Sequence, residues 1–217
     1  MIDETLPCVY FMGMQLILAT NNEHKLREVR ALVPGWQVSG PRDLGLVFHH
    51  EETGSSFAEN ALGKAETLWE LIQEQMKPLH DVMVLADDSG LVVPALGGEP
   101  GLYSARYGHQ EGQAPLDDRG RCDLLLSRMQ GKAERAARFI CCLALVSGQD
   151  RFLTVQESWE GFIATTLMDS GQGFGYDPVF WLPDYNCTVA CLPAEEKNRI
   201  SHRAKAMQML GRFLRHE

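Results

Sequence analysis

Short, wholly apolar runs alternate along this chain with stretches that repeat at helical spacing. QLILAT, directly after Met14, reads as a buried strand, and the turn through Asn21-Asn22 leads into Leu26, Val29, Leu32 and Val33 at helical intervals. The clearest helix is expected over 55–77. There Phe57, Ala61, Ala65, Leu68 and Ile72 make one stripe, Ser55 or Ser56 can cap the start, and Pro78 lies beyond the end. VMVLA (82–86) predicts a strand ending at Asp87-Asp88-Ser89-Gly90, and LVVPAL follows. Residues 96–120 carry glycines, prolines and no period. Leu116–Met129 is expected to be helical, and 136–148 and 151–165 to be strands joined by a Ser-Gly-Gln-Asp turn. Phe180–Trp181 closes a further strand. Ser201 is placed as the cap of a last helix whose Ala206, Met209, Leu210 and Phe213 face inward. Strands and helices mix without repeats, which predicts an α/β protein with a mixed sheet.

Composition narrows the function classes. With 217 residues, 45% of them apolar, the chain can bury a sizeable core, and 23% charged residues argue against extended disorder. A net charge of −9 excludes a bulk electrostatic attraction to nucleic acid polymers or anionic membranes. An anionic ligand would therefore need a few local lysines and arginines, or a metal ion. The six cysteines (8, 122, 141, 142, 187 and 191) form no CxxC pair. Cys141-Cys142, inside FICCLALV, read as buried thiols on a strand, and no structural zinc site is expected. Met1–Gly13 has no basic region of a signal peptide, and no apolar run approaches membrane-spanning length. A cytoplasmic, reduced protein is expected, with residues 1–13 as an extension, or the product of an upstream start, before a single domain over 14–217.

Three polar groups could carry chemistry, and each also has an ordinary reading. Thr20–Lys25 (TNNEHK) sits between a strand and a helix, where backbone N–H groups and the positive helix end suit phosphate. It is equally an Asn-rich turn with a solvated lysine, and it is no Walker A loop. Asp87-Asp88-Ser89-Gly90 lies after a buried strand. Adjacent carboxylates there call for a cation or donors, and hard oxygen ligands favour magnesium. Glu51-Glu52 could complete the coordination, although Asp, Ser and Gly also make ordinary turns. EEKNRISHR (195–203) concentrates Lys197, Arg199, His202 and Arg203 in an acidic protein, or else forms a solvated charged surface. To these GQGFGYDP (171–178) adds glycines and aromatics. Together they are the parts of a Mg²⁺–nucleotide site.

ATNNEHKLREV, EETGSSFAENALGKA, LADDSGLVVPALGGEPGLYSARY, GQGFGYDPVF and EEKNRISHRAKA resemble, in this order, the motifs of the inosine triphosphatase family, from about Met14 to the end. The resemblance implies a nucleoside triphosphate pyrophosphatase acting on non-standard purines (ITP, dITP, XTP) and releasing the monophosphate and pyrophosphate. It implies an elongated α/β fold of helices around a mixed sheet, two lobes with the nucleotide in the cleft between them, and a homodimer. Thr20, Asn21, Asn22, Glu23, His24 and Lys25 then look like the triphosphate loop, with Asn21 standing where many relatives have glycine. Asp88 matches the catalytic carboxylate, and Glu51 with Asp88 the Mg²⁺ ligands. Ser89 falls beside the substrate. Phe174, Gly175, Tyr176 and Asp177 resemble the base-binding loop, with Phe174 stacking on the ring and Tyr176 the better candidate for a core aromatic. Lys197, His202 and Arg203 match residues around the purine and phosphates.

Overall fold

The structure, a computed structural model, describes residues 15–76, 82–168, 170, 171 and 173–214. The expected extension over 1–13, Pro78 and Gln172 lie outside them. In chain order the elements are β1 (Gln15–Leu18), α1 (Glu23–Leu32), β2 (Gln37–Ser39), α2 (Phe57–Gln75), β3 (Val82–Val92), α3 (Asp118–Arg128), β4 (Ala136–Gly148), β5 (Arg151–Ile163), β6 (Phe180–Leu182), β7 (Cys187–Thr188), α4 (Ala194–Ile200) and α5 (His202–Leu214). The strands hydrogen-bond in the order β2-β1-β3-β4-β5-β6-β7. β1 runs parallel to β2 and β3, whereas β6 is antiparallel to β5 and β7. The expected mixed sheet is therefore present.

Local chemistry accounts for the main elements. Ser56, not Ser55, caps α2: its Oγ accepts the Glu59 N–H at 3.2 Å, and the Glu59 carboxylate accepts the Ser55 N–H at 2.7 Å. All five residues of the stripe are buried. β3 departs from expectation, because it runs on to Val92 instead of turning at Asp87. Asp87-Asp88-Ser89-Gly90 thus lies within a strand. Two carboxylates are tolerated there because each meets a lysine, as described below. α5 is also phased differently: Ala206, Met207 and Leu210 are buried, Met209 is half-buried and Phe213 is 52% exposed. The pattern overlooked three short elements, β2, β7 and α4, each of seven residues or fewer.

The chain forms two compact units. The first comprises the described residues up to Asp88, Cys142–Gln156 and those from Ala206 onward. Its buried residues include Ile17, Leu18, Val29, Leu68, Ile72, Leu85 and Leu143. The second, Ser89–Cys141 with Glu157–Lys205, has its own core of Leu91, Leu125, Met129, Phe139, Trp159, Ile163 and Phe180. The Phe139 and Phe180 rings lie 4.5 Å apart there. Cys141 and Cys142 are buried on β4, as expected. No helix among the described residues is long and apolar enough to cross a membrane.

Candidate active site

The first unit gathers its charges at the end of its share of β3. Successive strand residues point to opposite faces, and Asp87 and Asp88 accordingly reach different helices. Asp87 Oδ1 accepts from Lys25 Nζ of α1 at 2.6 Å, and Asp88 Oδ1 accepts from Lys64 Nζ of α2 at 2.8 Å. Both ammonium groups also donate to the Asp87 carbonyl, at 3.1 and 3.0 Å. Lys64 reaches a third acid, Glu52, at 2.9 Å. Asn60, one turn before Lys64, donates to Asp88 Oδ2 at 3.3 Å, while its own Oδ1 accepts the Gly54 N–H at 2.8 Å.

Burial sets the electrostatics of this cluster, in which Lys64, Asp87 and Asp88 are at most 8% exposed. Burial works against the Lys64 charge, but Asp88 and Glu52 together outweigh it and raise its pKa above the ordinary lysine value. For Asp88, burial raises the carboxyl pKa, and Lys64 and Lys25 pull it only part of the way back. The result is a carboxylate more basic than a solvated one, beside two cations.

The structure sorts the expected phosphate loop by role. Asn22 is the N-cap of α1, its Oδ1 accepting the N–H groups of His24 and Lys25 at 2.9 and 3.3 Å. Those two helix-end donors are therefore already bonded within the chain. Thr20 Oγ1 accepts the Asn22 N–H, and Asn21 donates to the Phe48 carbonyl at 2.9 Å. Glu23 lies 3.7 Å from Arg42, and His24 is exposed. Glu51 is exposed too, so it is Glu52 that the fold brings to Asp88. Lys64 and Asn60 escaped the sequence reading. The available signal was their phase, since both fall among the buried positions of the α2 stripe.

The second unit holds the other candidates. Asp177 is buried, and its Oδ2 accepts from Lys197 Nζ at 2.7 Å and from the Phe174 N–H at 3.1 Å. The Lys197 ammonium stands 4.3 Å from the centre of the half-buried Phe174 ring, a cation–π contact. Tyr176 is buried, and its hydroxyl donates to the Ser104 carbonyl at 2.9 Å. Its side chain is thus a strut in the core. The glycines of this loop differ in purpose. Gly171 and Gly175 adopt positive φ (78° and 60°), whereas a Cβ on Gly173 would come within 2.8 Å of Asp177 Cβ and 3.0 Å of Ala190 Cβ. His202 stacks on Phe139 at 4.9 Å. Arg203, 2% exposed, donates to Ser89 Oγ at 3.4 Å.

Known proteins share this chain throughout most of its length. The Ham1 family model matches residues 16–213. A dITP/XTP pyrophosphatase of Treponema denticola is 43% identical over 202 residues, 93% of this chain and 99% of its own. That of Bacillus licheniformis is 43% identical over 204 residues, 92% of this chain and 97% of its own. Among solved structures, a HAM1 protein from Coxiella burnetii is 33% identical with a TM-score of 0.79, covering 94% of this chain and 100% of its own. The Staphylococcus aureus Ham1 protein is 37% identical with a TM-score of 0.75, covering 92% and 97%. Similarity of that extent, in sequence and in fold, places the chain in the Ham1 family.

Proposed function

We propose that this chain hydrolyses non-standard purine nucleoside triphosphates (ITP, dITP and XTP) to the monophosphate and pyrophosphate. The observation that carries the reading is the convergence of Lys25 and Lys64 on the Asp87 carbonyl, between two buried carboxylates. Cations beside a basic carboxylate suit hydrolysis of a phosphoanhydride, one to meet phosphate charge and the other to orient the proton acceptor, and the relatives named dITP/XTP pyrophosphatase support the substrate class.

In this mechanism Asp88 accepts the proton of the water that attacks the α-phosphorus, a task its raised pKa suits. Asn60 and Lys64 fix the orientation of its carboxylate. Lys25, steadied by Asp87, meets the triphosphate together with the Thr20–Asn22 turn, Glu23 and His24 framing its edge. The donor set fits Mg²⁺, because Glu52 and Asp88 already direct oxygens at one cation, the Lys64 ammonium. Magnesium is commonly held by one or two carboxylates plus substrate phosphates. Its chemistry, when bound, is to stabilise charge on the phosphoryl oxygens. Glu52 takes this role in preference to Glu51, which faces solvent. Phe174 stacks on the purine, with Gly175 and Asp177 shaping the loop around it. Lys197, His202, Arg203 and Ser89 complete recognition of base and sugar–phosphate. The family resemblance further suggests a cytoplasmic homodimer.

The test is chromatography of the products formed from ITP, XTP, dGTP and ATP with Mg²⁺. Monophosphate and pyrophosphate from ITP and XTP, with ATP and dGTP hydrolysed far more slowly, are expected. Orthophosphate as the first product would make the protein a terminal phosphatase instead.

A further inference from the structure

The first turn of α3 lies in a segment to which no function was assigned, yet it grips one residue of the glycine-aromatic loop at both backbone groups. Asp118 Oδ2 accepts the Gly175 N–H at 2.5 Å. The Cys122 thiol, one turn further, donates to the Gly175 carbonyl at 3.3 Å. Asp118 is not needed for capping, because Asp117 does that work: it is the N-cap, and its Oδ1 accepts the Gly120 N–H at 2.7 Å. Arg121 binds the other oxygen of Asp118 and donates to the Leu116 carbonyl at 2.5 Å. Among the described residues, its buried Nε has no hydrogen-bond partner. The guanidinium thus forgoes one bond while it orients Asp118.

The grip falls between two residues that are anchored by other means. Phe174 is held through its N–H by Asp177, and Tyr176 through its hydroxyl by Ser104. Gly175 stands between them in a left-handed conformation, φ +60°, with no side chain of its own to fix it. Burial, reinforced by the Asp118 charge, pushes the Cys122 thiol up to about 12, so it remains a protonated donor at neutral pH.

We propose that Asp118 is a positioning residue for base selection, holding the Gly175 backbone so that the Phe174 ring is presented to the purine. The inference rests on the reading of Phe174–Asp177 as the base loop. One charge-assisted hydrogen bond is at stake, so a roughly tenfold effect on base binding is expected. Asp118→Ala should raise KM for ITP about tenfold, lower kcat by less than twofold and narrow the ITP-over-ATP preference. Asp118→Asn, which keeps an acceptor oxygen, should restore most of the loss. Inhibition by inorganic tripolyphosphate, which has no base, should not change. Exchange of the Gly175 amide, followed by NMR, should quicken at least tenfold in Asp118→Ala alone.

Phe174→Ala serves as the reference. If it raises KM for ITP while Asp118→Ala does not, the positioning role is overturned and the base loop stands. If Phe174→Ala leaves KM for ITP unchanged, the base-loop reading falls, and the role of Asp118 with it. Equal weakening of ITP and tripolyphosphate by Asp118→Ala would mark a general structural defect and also overturn the proposal.

Discussion

Replacing Lys64 with Met keeps the length of the side chain and removes the charge that Asp88 depends on. Lys64 supplies hydrogen bonds to Asp88, Glu52 and the Asp87 carbonyl. Two of these losses are mild: the Glu52 side chain is 25% exposed and can turn to water, and the Asp87 carbonyl keeps Lys25. Asp88, 6% exposed, keeps only Asn60 as a hydrogen-bond partner among the described residues. Removing one partner of a buried ion pair costs about 3–5 kcal/mol. The charge part has a ceiling, because Asp88 can bind a proton instead. Protonation costs about 1.4 kcal/mol per pH unit above the folded pKa, so an unfolded value of about 3.9 sets upper limits of roughly 4 kcal/mol at pH 7 and about 1.5 kcal/mol at pH 5.

The sign follows from proton binding. In the variant the folded pKa of Asp88, already raised in the parent, rises further, so the folded state holds more protons than the parent's does and the deficit grows as pH rises through that window. Lys64→Met should therefore unfold about 6–16 °C below the parent at pH 7, at roughly 2–4 °C per kcal/mol for a chain of this size. At pH 5 the deficit should be less than half as large. Thermal unfolding followed by circular dichroism, with a chelator present, measures both. Adding Asp88→Asn to Lys64→Met should recover most of the loss at pH 7. A deficit that is the same at both pH values, or absent at pH 7, would refute the buried-charge account.

Three other outcomes are expected. Asp88→Asn should keep its fold, since Lys64 retains one amide oxygen at this position and the Glu52 carboxylate as partners, while turnover falls by roughly two or more orders of magnitude, the scale of a lost acid–base group; near-parental turnover on ITP would remove Asp88 from that role. Glu52→Gln should shift the Mg²⁺ titration of activity to higher concentration than Glu51→Gln does, and coincident titrations would show that neither carboxylate distinguishes itself as a ligand. Gly173→Ala should lower stability by about 1–3 kcal/mol through overpacking against Asp177 and Ala190, with denaturant unfolding as the measure and an unchanged midpoint as the contrary result.

Legibility in the sequence followed the range of the interactions concerned. β1, α2 and β4 were readable because each is set by a local pattern, an apolar run or a five-residue stripe with a serine before it. Phe213 misled because its helical spacing from Leu210 and Met209 says nothing about which flank of the stripe stays exposed. Lys64 was invisible as a site residue, because lysine on a helix reads as a solvated face, and its burial depends on Asp88, 24 residues on, together with Glu52. Asp118 falls in the first turn of an expected helix, where an acidic residue reads as ordinary helix-end chemistry, and its partner Gly175 is 57 residues away.

The run DDSG shows how far elementary chemistry could have carried the reading. The sequence reads it as the end of a strand, because Asp, Ser and Gly make ordinary turns. Had the strand been continued instead, alternation would have sent Asp87 and Asp88 to opposite faces, and one cation could not have served both side chains. Partners from two separate elements are then called for, and a cation adjoining a buried stripe is one way to supply each. Lys25, next to Leu26 in α1, and Lys64, next to Ala65 in α2, meet that description. The pairing of the two lysines with the two carboxylates is therefore a consequence of strand geometry and charge balance. What remained beyond the sequence was the choice of partner, Asp87 with Lys25 and Asp88 with Lys64, which depends on which helix packs against which face.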